Sequence, residues 1–119
     1  MLTIYHNPRC SKSRQTLELI KEHISDEKQL SIVEYLKTPL SVTTIKTLVA
    51  ELGFKPIEMM RVKETEFSAQ NLKGALDATL IEAMATTPKL IERPIVSDGS
   101  RAVMGRPPEN VLTFFLNRE

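Results

Sequence analysis

The sequence predicts an α/β fold, a mixed four-stranded sheet with flanking helices. Three observations point to it. A short apolar strand, a helical stripe and a β-branched strand follow one another within the first thirty-five residues, which makes a βαβ unit with parallel strands and a right-handed crossover. Near the other end, two short apolar runs flank Asp98-Gly99, a strong hairpin signal. Between them, residues 55–89 offer helical patterns and no strand, and so read as a helical insertion between the second helix and the hairpin.

Leu2, Ile4 and Tyr5 form the first strand, closed by the turn signal Asn7-Pro8. Beyond Cys10, Leu17, Ile20 and Ile24 recur at helical spacing, and Ser11-Lys12-Ser13 suits a helix start, with Ser11 or Ser13 as its cap. Ser31 to Tyr35 is the second strand. Ser41 caps the next helix, Leu40 and Ile45 staple it, Ile45, Leu48, Val49 and Leu52 form its stripe, and Gly53 closes it in the left-handed conformation. In the insertion, Asp77 is expected to cap a helix carrying Leu80, Ile81 and Met84, stapled by Leu76 and Ile81. Residues 57–67 are expected to be helical around Met59, Met60 and Phe67. Pro94 to Ser97 and Arg101 to Met104 are the hairpin strands. Pro107 and Pro108 then open a last helix with Val111, Leu112, Phe115 and Leu116 on one face.

The 119 residues are expected to make one domain, 1–119, with 41% hydrophobic content to fill a core. Sixteen Lys and Arg against fifteen Asp and Glu leave +1, which excludes a general nucleic-acid or membrane-surface binder. No apolar run approaches the ~20 residues of a membrane span, and Met1 to Tyr5 lacks the pattern of a signal peptide. The one cysteine rules out an internal disulfide and argues against structural zinc, so a cytoplasmic location and no metal or bound cofactor are expected.

Cys10 stands between the first strand and the first helix. A helix N-terminus stabilises thiolate, the reactive form, through its unpaired N–H groups and macrodipole. Arg9, Lys12 and Arg14 add positive charge there, and His6 would add more if protonated. A free cysteine is often a small buried core residue, but a polar, basic turn is a poor place for one. The same turn is an anion site, to which Ser11 and Ser13 can donate hydrogen bonds. Arg61, Arg93 and Arg106 stand beside apolar or proline-rich segments, the last two directly before Pro94 and Pro107. Guanidinium groups suit oxyanions because they are planar, permanently charged and bidentate. Taken singly, each also reads as a surface or salt-bridge arginine.

The run Tyr5-His6-Asn7-Pro8-Arg9-Cys10-Ser11-Lys12-Ser13-Arg14 resembles the active-site loop of the ArsC family, the glutaredoxin-coupled arsenate reductases. Ile91-Glu92-Arg93-Pro94-Ile95-Val96 resembles the family's second hallmark, and Met60-Arg61 and Gly105-Arg106-Pro107 fall where two further substrate arginines are expected. The resemblance covers essentially the whole chain. It departs at Ser11-Lys12, where members often carry small residues, and in ending at Glu119 without the extension of some members.

The resemblance implies a thioredoxin-like fold and a cis bond before Pro94, facing the cysteine. It also implies Cys10 as nucleophile, with His6 lowering its pKa. Arg61, Arg93 and Arg106 would hold the arsenic oxyanion, with Ser11 contributing to the anion site and Ser13 and Arg14 completing the loop. With one cysteine, reduction must draw on an outside thiol, and the family implies glutathione as co-substrate and glutaredoxin as partner to a monomer. Cys10-Ser11-Lys12-Ser13 has no second thiol for an internal couple, and Thr16 stands where a Cys-x5-Arg phosphate loop needs arginine. Two other readings stay open: a glutathione-dependent thiol oxidoreductase with another substrate, and a Spx-like regulator binding RNA polymerase. The second lacks the thiol pair of a disulfide switch.

Overall fold

A computed structural model describes residues 1–116. Its sheet has the order β2-β1-β3-β4, where β1 is Leu2–His6, β2 Leu30–Glu34, β3 Ile95–Ser97 and β4 Ala102–Met104. β1 and β2 run parallel in the register Leu2 to Leu30 through His6 to Glu34. β1 and β3 pair antiparallel, as do β3 and β4, so the sheet is mixed as the element order predicts.

Strand periodicity sorts the two faces. Leu2, Ile4 and His6 are the buried residues of β1, and Leu2 and Ile4 join Ile20, Val96 and Val111 in one cluster. That cluster seats α1, Ser11–His23, and the closing helical turns, Pro108–Phe115, on the sheet. The opposite face carries α2, Val42–Leu52, with α3, Thr65–Ala69, and α4, Asp77–Thr86, around Tyr35, Ile45, Leu48, Met59, Met84 and Ile95.

α2 forms as its signals predict. The Ser41 side chain accepts the Thr44 N–H at 3.1 Å, Leu40 and Ile45 are buried, and Gly53 adopts φ +68°. The insertion departs in detail. The stretch 57–67 is not one helix but a 3₁₀ turn, Pro56–Met59, then α3. Leu76, not Asp77, is the N-cap of α4; Asp77 takes the first helical position, where a carboxylate complements the helix dipole, and Leu76 is exposed rather than stapled. The last helix is 3₁₀, not α. Its inward residues Pro108, Val111 and half-buried Phe114 recur every three residues, which suits three residues per turn, and Leu116 is exposed. No helix among the described residues is long and apolar enough to cross a membrane.

Two close approaches lock α1 to the hairpin. A Cβ at Gly105 would stand 2.7 Å from Thr16 Oγ1 and 2.8 Å from Pro94 Cγ, so only glycine fits there. The Gly105 N–H donates to the Pro94 carbonyl at 2.8 Å, while the Thr16 hydroxyl reaches the Gly105 carbonyl at 3.3 Å. The helix that begins at Cys10 and the segment that carries Arg93 and Arg106 are therefore held in fixed relation.

Candidate active site

Asn7 to Cys10 forms a hydrogen-bonded turn with Pro8 at its second position; the Cys10 N–H donates to the Asn7 carbonyl at 3.0 Å. Asn7 Oδ1 accepts the Arg9 N–H at 3.0 Å, and Arg14 Nη1 donates to the Pro8 carbonyl at 2.9 Å. Arg14 thus ties the loop together, as expected, but it spends a donor on protein rather than offering it to an anion.

The chain reaches Cys10 in extended geometry, φ −95° and ψ 123°, so the cysteine itself is the N-cap of α1. This corrects the expectation that Ser11 or Ser13 caps the helix. Ser11 is exposed at the first helical position. Ser13 is buried, and its hydroxyl oxygen accepts the Asn7 N–H at 3.0 Å and lies 2.7 Å from His6 Nδ1. Ser13 faces inward because the buried stripe of α1 is Ser13, Thr16 and Ile20, with Leu17 and Ile24 only half-buried.

Cys10 is 8% exposed yet belongs to neither apolar cluster. Burial alone pushes its thiol pKa up. The Ser13 N–H, the Arg93 charge, the Lys12 N–H and a donor of Arg93 outweigh it, and the net shift is down. No hydrogen bond of normal capping geometry reaches the side chain, but ionisation would supply the second and third helical N–H groups with a charged acceptor. The main causes are backbone N–H groups and Arg93, which is far off in sequence, rather than the side chains of Arg9, Lys12 and Arg14.

His6 is also corrected. Burial first of all lowers its pKa, Glu34 opposes this, and Arg14 and Lys21 reinforce it. A neutral imidazole at neutral pH adds no positive charge beside Cys10. Its contact is with Ser13, whose N–H faces the sulfur, so His6 fixes the loop.

Arg61, Arg93 and Arg106 line one pocket of about 380 Å³, with Met60, Val62, Lys63, Glu64 and Glu92. Three separate segments deliver them. Met60 bridges Ile91, and the Arg61 N–H donates to the Leu90 carbonyl at 2.7 Å, which sets Arg61 beside the 90–93 stretch. Arg93 precedes a cis bond to Pro94, as the resemblance implies; a second cis bond, between Arg106 and Pro107, was not foreseen. Arg106 Nη1 donates to the Arg93 carbonyl at 3.3 Å. Arg93 joins pocket to thiol, since it lines the one and its charge reaches the other. Arg93 Nε is buried without a hydrogen-bond partner, a donor left for an anion.

Carboxylates meet the arginines here, which the sequence reading missed. Glu64 pairs with Arg61 at 2.8 Å, and Glu92 with Arg93 at 3.3 Å and Arg106 at 3.9 Å. Tyr35, just past β2, was missed as well. Burial raises its pKa to about 12 against the opposing charges of Arg93 and Arg61, with Cys10 and Glu92 adding to the rise. A larger groove of about 850 Å³ follows α1 past His6 and Arg14. Glu18, Glu22 and Glu109 line it against the one charged cation Arg14, so it is the worse place for an anion.

Comparison with known proteins agrees with this fold. The family model described as the ArsC family matches residues 5–114. Over 112 residues the chain is 46% identical to the uncharacterized protein YfgD of Escherichia coli, covering 92% of each. It is 42% identical over 113 residues to an arsenate reductase of Haemophilus influenzae, covering 92% of this chain and 94% of that one. Among solved structures, the arsenate reductase from Vibrio cholerae superposes with a TM-score of 0.86 at 45% identity, over 94% of this chain and 95% of that one.

Proposed function

The chain belongs to the ArsC family, with its thioredoxin-like fold, and we propose that it reduces arsenate to arsenite through a Cys10 adduct resolved by glutathione and glutaredoxin. The observation that carries this reading is Arg93, which lines a three-arginine pocket and also favours the Cys10 thiolate. An oxyanion held by Arg61, Arg93 and Arg106 stands next to an activated sulfur, and relatives named arsenate reductase support arsenic as its central atom.

The cycle follows from counting sulfur and electrons. The Cys10 thiolate attacks arsenic(V), an oxygen leaves as water, and a sulfur–arsenic bond forms with no change of oxidation state. A glutathione thiolate then attacks the Cys10 sulfur. The sulfur–arsenic bond breaks with its electron pair passing to arsenic, which leaves as arsenite, and a Cys10–glutathione mixed disulfide remains. Glutaredoxin reduces that disulfide. His6 and Ser13 hold the loop, Ser13 and Lys12 supply N–H groups to the sulfur, and Arg14 straps the turn. Ser11, at the exposed helix start, offers its N–H to the entering anion. The chain works as a cytoplasmic monomer with no bound cofactor.

The test is arsenate-dependent NADPH oxidation by the purified protein with each reductant system in turn. Turnover is expected with glutathione and glutaredoxin together. Full turnover with thioredoxin and no glutathione contradicts the mechanism, and none with either contradicts the substrate.

A further inference from the structure

The arginine pocket already holds an anion, and that anion is part of the chain. Glu92 Oε1 accepts from Arg93 Nη1 at 3.3 Å and from the Arg93 N–H at 3.4 Å, and lies 3.9 Å from Arg106 Nε. It therefore sits between the two guanidinium groups that an oxyanion would bridge. Glu64 is engaged on the other side, with one oxygen on Arg61 at 2.8 Å and the other on Lys89 at 3.5 Å. Glu92 is engaged differently, since its side-chain contacts use Oε1 and none of them uses Oε2. The Glu92 side chain is 27% exposed and lines the pocket, while Arg93 Nε remains buried and unpartnered.

We propose that Glu92 is a selectivity residue that admits oxyanions carrying a proton and rejects fully ionised ones. This rests on the oxyanion reading above and names which anions the site accepts. An ionised carboxylate only accepts hydrogen bonds. Arsenate and phosphate each keep an acidic hydroxyl at neutral pH, and that hydroxyl can donate to Glu92 Oε2. Sulfate has the same tetrahedral shape but no proton there. Its oxygen would face a carboxylate oxygen with no hydrogen between them, a repulsion that a partly exposed pocket screens only in part. The three arginines attract every oxyanion alike; the discrimination comes from the acidic residue among them.

The experiment uses Cys10→Ser protein, which forms no adduct, titrated calorimetrically at neutral pH with inorganic phosphate and with sulfate. Phosphate is expected to bind about tenfold or more tighter than sulfate, the scale on which one unpaired polar contact discriminates. Adding Glu92→Gln, which keeps the shape and supplies a donor, should tighten sulfate by about tenfold and bring the two affinities together. Equal affinities with Glu92 in place overturn the proposal without any Glu92 variant. So does tightening of both anions by one factor, which would make Glu92 a plain charge competitor, or unchanged sulfate affinity in Glu92→Gln. Absence of binding by either anion in either protein overturns the oxyanion site itself, and this proposal with it.

Discussion

Around Cys10 the favourable field comes from two backbone N–H groups on contiguous chain together with Arg93, whereas the arginine pocket draws Arg61, Arg93 and Arg106 from three distant segments and sets Glu64 and Glu92 against them. The two halves of one site therefore respond differently to substitution. A backbone donor cannot be removed by changing its own side chain. A guanidinium can, and each removal also frees a carboxylate to repel the anion. Arg93 alone belongs to both halves, and it marks where the comparison is most easily broken.

The largest effect is expected at that residue. Arg93→Ala should lower kcat/KM for arsenate by about 10²-fold or more, since one preorganised donor to developing charge is typically worth that much. Arg93→Lys should restore thiol acidity better than it restores anion binding, because a point charge replaces a bidentate fork. Steady-state kinetics with alkylation rates separates the two.

Next is the joint between the halves. Gly105→Ala forces a methyl against Thr16 and Pro94 and should cost about 1–3 kcal/mol of stability, the usual range for overpacking, seen as a lower denaturant midpoint. A wild-type midpoint would mean that the two halves are not locked there.

A smaller effect, confined to one half, is expected from Arg61→Ala. Losing one charge-assisted contact should weaken phosphate competition about tenfold. Thiol titration should stay nearly put, because the groups that chiefly shift Cys10 are the Ser13 and Lys12 N–H groups and Arg93. A moved titration would dissolve the distinction between the halves.

The same contrast explains what could be read in the sequence. Residues 5–14 carry the loop on contiguous chain, so the turn, the helix start and the place of Cys10 between strand and helix were visible. The source of its activation was not. Arg9, Lys12 and Arg14 are the obvious charges, but the N-cap geometry of Cys10 gives that task to N–H groups, which no side-chain pattern displays. The charge of His6 stayed conditional on protonation because the sequence does not show that the strand buries it beside Ser13. The arginines were recognisable through the resemblance, but their carboxylate partners were not, since Glu92 reaches Arg106 only after the chain has turned through the hairpin. Leu40 and Ser41 act on the first turn of α2 and Gly53 on its last, each through near neighbours in sequence, and α2 formed as read. The α4 cap moved by one residue: Leu76, a poor capping type without a side-chain cap bond, holds the N-cap, and Asp77 acts from the first helical position instead, a choice that residue type does not display.

The ionisation of Cys10 tests thiol activation by N–H groups and Arg93 most directly, followed as thiolate absorbance against pH with Cys10→Ser as blank. The folded thiol is more acidic than a free one, so the thiolate should appear below the free-cysteine midpoint of ~8.5 and persist as pH rises. The midpoint should move up in Arg93→Ala and stay nearly unchanged in Lys12→Ala, whose backbone N–H remains in place. A wild-type midpoint at or above the free value, or one that follows the Lys12 side chain and ignores Arg93, would contradict it.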